Sequence, residues 1–285
     1  MNLTNRTLGE ICDEVGGTIR TGPFGSQLHQ SDYSDEGTPV VMPKDIVGDK
    51  ISIDEIARVG PEHTERLSQH KLILGDIVYG RRGDIGRRAI VTEKEQGWLC
   101  GTGSLRISLG FTNHVLDPLF LYYYLGQPEI IEWIYNQAIG ATMPNLNTSI
   151  IRSIPIAYPP LEIQRRIAAV LSAYDDLIEN NTQRIKALEA AAQVLYREWF
   201  VEFRFPGHES VAWVESELGR IPAGWEIHRI TEVAEIFRGR SYRSENLVEE
   251  GGFPFLNLKS IERDGGFKHD GLKRYHGAYS EKQIA

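Results

Sequence analysis

The pattern of apolar and polar positions changes twice along the chain. Up to Tyr158, apolar residues come in short runs between turns that contain glycine or proline, a pattern typical of short strands. From Leu161 to Phe203 there is no glycine or proline, and apolar residues recur at alternating steps of four and three. Beyond Arg204 the short runs return. The sequence therefore predicts a strand-rich domain, a long helix and a second globular segment.

The first segment, residues 1–158, is predicted to mix helices and strands. An amphipathic helix is predicted over 7–15, where Leu8, Ile11, Cys12 and Val15 share one face. Strands are predicted at 38–42, 75–80, 89–92, 105–109 and 154–158, and two helical pieces at 116–135 that break at 126–128. We expect an α+β fold: a mixed, strand-rich domain followed by a long coiled-coil-type helix.

The long helix, assigned to a spacer over 159–205, carries a heptad seam. A seam of this kind needs a partner helix, because one helix cannot bury its own stripe. Its members are Tyr174, Ile178, Asn181, Ile185, Leu188, Ala192, Leu195 and Trp199. Asn181 favours one pairing register if it is buried; the alternative is a position near solvent. Trp199 either packs between the helix and a domain or forms part of a surface that binds a partner.

The third segment, 206–285, begins as a copy of the first. Three landmarks recur 215 residues later: Pro39 as Pro254, Lys44 as Lys259 and Ile46 as Ile261. Repeated landmarks at one offset indicate related modules. We expect 206–285 to be the start of a second, similar domain that is incomplete at Ala285.

Composition excludes several classes of protein. A hydrophobic content of 41% and a charged content of 25% are ordinary for a soluble globular chain. Two cysteines make no disulfide framework, which favours the cytoplasm. No apolar run is long enough to span a membrane, and the start lacks the pattern of a signal peptide. The net charge of −8 argues mildly against nucleic acid as a partner, although arginines cluster locally.

No constellation of catalytic residues stands out in the sequence. The histidines form no His-Glu-x-x-His motif, and no lysine follows an acidic residue at the second position, as in a common nuclease site. The glycine-rich stretches 83–86 and 101–103 lack Walker or dinucleotide spacing. We expect a non-catalytic protein that holds no metal or cofactor of its own.

Four motifs carry a resemblance to a known family. They are GATMPNLN at 140–147, PPLEIQRRIA at 159–168, LYREWFVEF at 195–203 and LGRIPAGW at 218–225, with GDIV at 75–78 as a further match. In this order and spacing they resemble the specificity subunit of Type I restriction–modification systems, over nearly the whole chain. The resemblance implies two target-recognition domains, each followed by a long helix. The helices pair antiparallel and separate two half-sites on double-stranded DNA.

The resemblance also implies partners. Type I modification (methyltransferase) subunits carry the S-adenosylmethionine chemistry, a restriction subunit joins them, and ATP and Mg are expected only on these partners. The expected function is sequence-specific DNA binding that directs partner subunits to a split site. Three alternatives remain: a truncated half-specificity protein that pairs its long helices as a homodimer on a symmetric site, a DNA-modifying enzyme with unusual motifs, and an unproductive fragment.

Arginines around one turn are the main candidates for DNA contact. Arg81, Arg82, Arg87 and Arg88 flank a turn with two glycines, and arginine fits both phosphate and guanine. The alternative is a solvated hairpin in which Asp84 pairs with one of them. Further candidates, each with an ordinary structural alternative, are Arg20, Lys44, Gly101, Thr102, Ser104, Thr142 and Asn145.

Overall fold

A computed structural model of the chain describes residues 3–82, 86–110, 112–138, 145–237, 239, 241–263 and 265–277. The chain divides into two compact units, Met1–Leu188 and Glu189–Ala285. Both units contain strands, and the predicted α+β class is confirmed.

The elements of the first unit are short, apart from its last helix. Its strands, within the described residues, are β1 (Thr4–Thr7), β2 (Thr18–Thr21), β3 (Tyr33–Ser34), β4 (Thr38–Val41), β5 (Ile46–Val47), β6 (Lys50–Ile51), β7 (Arg58–Val59), β8 (Ile77–Gly80), β9 (Arg88–Ile90), β10 (Leu99–Cys100), β11 (Ser104–Ser108) and β12 (Pro155–Tyr158). Its helices there are α1 (Leu8–Val15), α2 (Pro61–Arg66), α3 (Pro118–Tyr124), α4 (Pro128–Gln137), α5 (Thr148–Arg152) and α6 (Leu161–Tyr196), which continues into the second unit.

Two four-stranded sheets form the centre of the first unit. One has the antiparallel order β2-β11-β8-β9, and the other has the order β10-β4-β7-β3, with β10 parallel to β4. Strand β8 has cores on both of its faces: Ile77 and Tyr79 belong to the larger core, with α1 and the helices after β11, and Val78 to a smaller one. This is why β8 reads as a continuous apolar run, since successive side chains point to opposite faces and both faces are buried.

Local sequence signals account for several helix boundaries. The Thr7 side chain accepts from the Glu10 amide at 3.3 Å and the Glu10 carboxylate accepts from the Thr7 amide at 2.9 Å, a capping box that starts α1. The Asp117 side chain caps α3 by accepting from the Leu119 and Phe120 amides. The predicted break between two helical pieces is confirmed, because α4 starts at Pro128.

Several short elements were missed by the sequence analysis. Strand β1 pairs antiparallel with β12, with Thr4 opposite Tyr158. Its sequence, TNRT, has no apolar alternation to reveal it. The hairpin of β5 and β6 and the short helices α2 and α5 were also missed, because two to six residues give too little periodicity.

The end of the long helix differs from the prediction. Regular α-helix stops at Tyr196 and a π-helical turn follows over Arg197–Val201, whereas the sequence predicted helix through Phe203. Phe203 has a left-handed backbone (φ 56°) and its ring lies 5.2 Å from that of Trp225. Arg204 forms two hydrogen bonds, of 2.7 and 2.6 Å, to the Glu198 carboxylate. The chain therefore turns back at an aromatic cluster, a contact that helical periodicity does not reveal.

In the second unit, the elements after α6 are sparser. The described ones are β13 (Trp213–Ser216), β14 (Gly219–Pro222), α7 (Ile230–Val233), β15 (Leu247–Val248), β16 (Phe253–Phe255) and β17 (Lys273–Tyr275). Residues 230–236 resemble 8–15 in their pattern of apolar positions, but only one helical turn forms, and Ile230 and Val233 are exposed. The likeness in pattern therefore does not extend to burial.

The sequence repeat has a structural counterpart in one small sheet. The sheet order in the second unit, β15-β17-β16, matches the order β3-β7-β4 in the first unit. All pairs of neighbouring strands in both sets are antiparallel. The register also agrees, since Pro39 lies opposite Arg58 and Pro254 opposite Arg274. A 3₁₀ turn follows each proline-bearing strand, at Pro43–Asp45 and at Leu258–Ser260.

Candidate nucleic-acid interface

Backbone hydrogen bonds join several connecting segments of the first unit into what we call the loop cluster: loops 22–27 and 101–104, residues 81–82 and 86–87, and residues 145–146. The Arg81 amide donates to the Gly103 carbonyl and the Gly22 amide donates to the Ser104 carbonyl, both at 2.9 Å. The Leu146 amide donates to the Arg81 carbonyl, also at 2.9 Å. Residues far apart in sequence are therefore held at fixed mutual positions.

The glycines of the loop cluster allow its loops to touch. A Cβ atom at Gly22 would lie 1.9 Å from the carbonyl oxygen of Gly101, and one at Gly101 would lie 2.8 Å from that of Val41. The hydroxyl of Thr102 donates to the Pro23 carbonyl at 3.0 Å. Gly101 and Thr102, both candidates from the sequence, thus contribute close backbone contact between two loops.

Arg81 and Phe24 form the aromatic part of the loop cluster. Arg81 Nε donates to the Leu146 carbonyl at 2.7 Å, and its guanidinium lies 5.7 Å from the centre of the Phe24 ring. Burial, and secondarily the charge of Arg82, lowers the pKa of Arg81. The Phe24 residue is 54% exposed although its loop is held in place. Sequence analysis missed it; an aromatic residue between turn glycines was the available signal.

Arg82 and Arg87 are the exposed arginines of the loop cluster. Arg82 forms an isolated bridge with Asn145, whose side-chain oxygen is buried and has no hydrogen-bond partner in the described part of the chain. Residues 83–85, which include Asp84, lie outside the described residues, as does Thr142. The structure therefore brings Arg82 and Asn145 together, as two candidates from distant motifs.

Arg88 serves the interior of the domain instead. Its side chain is 9% exposed, and Nε donates to the Tyr122 carbonyl at 2.9 Å. Its guanidinium also lies 3.4 Å from the Asp49 carboxylate and 5.0 Å from the centre of the Tyr122 ring. An arginine held in this way is not available at the surface, so the surface that we propose below leaves it out.

The remaining candidates differ in exposure. Lys44 is exposed, and its ammonium lies 3.4 Å from the Glu55 carbonyl. Arg20 reaches the carbonyl and the side chain of Gln69, at 3.4 and 3.2 Å. Ser104 is fully buried, with a hydroxyl that has no partner among the described residues.

Asp76, Arg106 and His70 form a polar group of low exposure in the first unit. Asp76 accepts from the Ile73 amide at 3.0 Å and lies 3.6 Å from Arg106, while Arg106 also donates to the Lys71 carbonyl. His70 is 5% exposed. Burial, and then the charges of Arg20 and Arg106, lowers the pKa of His70. Burial thus favours the neutral form of this histidine.

The heptad seam of α6 lies on the surface. Tyr174, Ile178 and Leu188 are 62%, 63% and 68% exposed, and Ile185, Leu195 and Asn181 are exposed as well. Trp199 is half-buried and lines an apolar recess with Ala190, Val194 and Leu195. Among the described residues, the seam predicted from the periodicity is thus exposed apart from Trp199.

Two further features of the described residues bear on function. No group of three or more His, Cys, Asp or Glu side chains among them is placed to hold a metal ion. Among their helices, none is both long enough and apolar enough to cross a membrane.

The fold and the candidate site define a two-part architecture: an α+β head with a hydrogen-bonded loop cluster, followed by a long helix with an exposed seam. The chain belongs to the family described as Type I restriction modification DNA specificity domain, whose model matches residues 3–190. The family resemblance that the sequence motifs indicated is therefore confirmed.

Named relatives agree with this membership. The chain is 31% identical over 173 residues to the Type I restriction enzyme MjaIX specificity subunit of Methanocaldococcus jannaschii, covering 58% of this chain and 40% of that protein. It is 29% identical over 233 residues to the putative type I restriction enzyme MjaX specificity subunit of the same organism, covering 79% and 53%. The chain thus spans about half or less of these relatives. Their names as specificity subunits accord with the prediction of a non-catalytic component.

A solved structure supports the fold. The S subunit of a Type I restriction–modification system from M. genitalium matches with a TM-score of 0.53 at 20% sequence identity, over 94% of this chain and 62% of that one. At this identity the likeness concerns the fold alone.

Proposed function

We propose that this chain recognises a sequence in double-stranded DNA as the specificity component of a Type I restriction–modification complex. The loop cluster carries the proposal, because backbone hydrogen bonds hold distant loops in place and Arg82, Arg87 and Phe24 are exposed on these loops. Preformed loops position side chains on DNA at a lower entropic cost than mobile ones.

We assign different tasks to the members of this surface. Arg82, Arg87 and Lys44 contact phosphates and set the register of the domain on the duplex. Phe24 reaches toward base edges, Asn145 supports Arg82 through the bridge between them, and Thr142 remains a predicted contact. Gly101, Thr102 and Ser104 shape the backbone between them. Arg20 is bonded to Gln69 and lies at the border of the surface.

We further propose the arrangement 1–158 for the first recognition domain, 159–205 for the spacer helix and 206–285 for the start of a second recognition domain. The repeated strand order and register support the third assignment. Modification and restriction subunits assemble on the helix, and S-adenosylmethionine, ATP and Mg bind to those subunits. The complex works in the cytoplasm, a reducing compartment that suits the two free cysteines.

Selection from a pool of random duplexes tests the DNA-binding proposal. The purified chain, mixed with the pool, should enrich one sequence motif after rounds of retention and sequencing. Binding to the enriched duplex should weaken with salt, with a slope of about −0.9 per phosphate contact. Arg82→Ala should reduce the magnitude of that slope by about 1, whereas Arg184→Ala, which removes an exposed cation from the middle of α6, should leave it unchanged.

Failure to enrich any motif would overturn sequence recognition by this chain alone. Incubation of the chain with the enriched duplex, magnesium and S-adenosylmethionine tests the enzymatic alternative. We expect neither methyl transfer nor cutting until modification and restriction subunits are added. Sequencing of methylated sites in a host with and without the gene would then identify the target.

A homodimer is the second candidate, favoured by the exposed seam of α6. Two copies would pair their helices antiparallel and read a symmetric site with two identical heads. Light scattering distinguishes a homodimer from a monomer. A mass of twice 32.2 kDa supports the homodimer, and a monomeric mass at micromolar concentration contradicts it.

A further inference from the structure

Helix α6 has a second stripe, distinct from the seam, that faces the head of the first unit. Gln164 and Ala168 on this stripe are buried, and Ser172 and Glu179 are half-buried. Because a residue of α-helix turns by about 100°, Asp175 and Glu179 lie beside the seam residues Tyr174 and Ile178 but on a neighbouring face.

Two side chains from separate elements of the head hold this second stripe. Tyr123 on α3 donates its hydroxyl hydrogen to the Asp175 carboxylate at 2.6 Å. Lys50 on β6 donates to the Glu179 carboxylate at 2.7 Å. Asp175 and Glu179 are four residues apart, so they stand above each other on one face. We call Lys50, Tyr123, Asp175 and Glu179 the clamp.

The tip of the β5–β6 hairpin is itself held from the other side. Asp49, in a left-handed conformation (φ 62°), accepts from Arg88 Nη2 at 3.4 Å through its carboxylate. Its carbonyl accepts from the Tyr122 hydroxyl at 3.1 Å. Lys50 therefore directly follows Asp49, which is bonded to the interior. The backbone of Lys50 is thus restrained and cannot move together with α6.

We propose that Lys50 and Tyr123 are positioning residues that fix the rotation of α6 about its own axis, and thereby the direction in which the seam faces relative to the loop cluster. The inference rests on the proposed function in so far as the seam receives a partner helix. Arg88 is the first residue of β9, directly after the arginine-bearing loop, and it also bonds to Asp49. The position of that loop and the rotation of α6 therefore depend on one connected group of residues.

The clamp acts on orientation more than on folding. The side chains of Lys50 and Glu179 are both substantially exposed, and such ion pairs contribute little to global stability. Gln164 and Ala168, however, lie within the first eight residues of α6, and a helix held only there can pivot. The clamp adds two restraints farther along the helix, where a small tilt about its start displaces the seam more.

Distances between spin labels measured by pulsed electron resonance test the proposal. One label replaces exposed Glu93 on the head and the other replaces exposed Ala187 on α6, in the full chain. Native Cys12 and Cys100 stay, because burial raises the pKa of their thiols to about 11 and about 12 and keeps them unreactive. Dilution with unlabelled chain removes distances between copies.

The wild-type clamp should give one narrow distance distribution. Lys50→Glu and Glu179→Lys should each shift and widen it, and the double variant, which restores opposite charges, should bring back the narrow distribution. Tyr123→Phe, which removes only the hydroxyl, should widen it as well. High salt should widen the wild-type distribution, because exposed pairs are screened.

A matched control exchanges charges within the helix alone. Arg166 and Glu162 form an exposed i,i+4 pair at 2.6 Å, both members of which lie on α6. Glu162→Arg combined with Arg166→Glu should leave the distribution unchanged. The proposal is overturned if the single clamp variants keep the wild-type distribution, or if the double variant is as wide as either single one.

This experiment separates the clamp from DNA recognition. The distances are measured without DNA, and circular dichroism verifies that each variant is folded. Suppose that the charge-swapped double variant restores the distances, but the chain enriches no DNA motif. This result would refute the proposed function and leave the positioning role standing. If instead the chain enriches a motif but its label distances are unchanged in the clamp variants, the positioning role is refuted and the proposed function stands.

Discussion

At the scale of single residues, four neighbouring arginines have different surroundings. Arg88 is enclosed by Tyr122 and Asp49, and Arg81 lies between Leu146 and the Phe24 ring. Arg82 and Arg87 are exposed. A cluster of like charges in sequence thus separates into structural and surface members, according to how deeply each position is buried in the folded chain.

Substitution of Arg88 should therefore reduce stability, whereas substitution of Arg82 should not. Arg88→Ala leaves the buried Tyr122 carbonyl without its donor and removes the contact with Asp49, which should cost about 1–3 kcal/mol. The free energy of unfolding in urea, compared with that of Arg82→Ala, checks this. Equal stabilities of the two variants would contradict the interior role of Arg88.

His70 should make stability depend on pH. Its pKa is lowered from 6.5 by burial in the folded protein, so the unfolded chain binds a proton at a pH where the folded protein does not. The folded state should therefore lose stability as pH falls below about 6.5. His70→Gln should lessen the loss in melting temperature between about pH 7.5 and pH 5. His114→Gln, at an exposed position, should leave that loss as in wild type.

At the scale of elements, the loops of the loop cluster depend on close backbone approach. A Cβ atom at Gly22 would lie 1.9 Å from the Gly101 carbonyl oxygen, whereas nothing lies within 4 Å of one at Gly25. Gly22→Ala should therefore cost about 1–3 kcal/mol, because backbone must move to admit the methyl group. Gly25→Ala should be close to neutral in thermal melting. A stable Gly22→Ala variant with unchanged DNA affinity would show that the contact is dispensable.

Gln164 is the anchor at the start of α6. Its fully buried amide accepts from the Asp117 amide at 2.8 Å and donates to the carbonyls of Val115 and Pro159, at 3.0 and 2.8 Å. Gln164→Ala removes all three bonds and should lower the free energy of unfolding by about 1–3 kcal/mol or more. Gln183→Ala, on the exposed part of the helix, should change denaturant unfolding little.

At the scale of the whole molecule, the uncovered seam governs association. If copies of the chain pair through α6, a charge placed in the seam should prevent it, because the carboxylate would have to leave water. Leu188→Glu should therefore convert a dimeric mass in light scattering to a monomeric one. Ala187→Glu adds the same charge outside the seam and should retain the dimer. Dimers that survive Leu188→Glu would place the contact elsewhere.

The sequence by itself determined the features that rest on local periodicity and turn chemistry. These are the long helix with its seam, the main strands of the head, the capped α1, the internal repeat and the family motifs. Each depends on neighbours within a few positions, where side-chain direction follows directly from the backbone period.

Tertiary structure alone decided which candidates are available at the surface. The contact of Arg81 with Leu146 spans 65 positions and that of Lys50 with Glu179 spans 129, so neither leaves a trace in local pattern. Burial of Arg88, exposure of Phe24 and the second stripe of α6 follow from such distant pairings. Hydrogen-bond partners and solvent access are properties of the packed chain, and they become defined only when its segments meet.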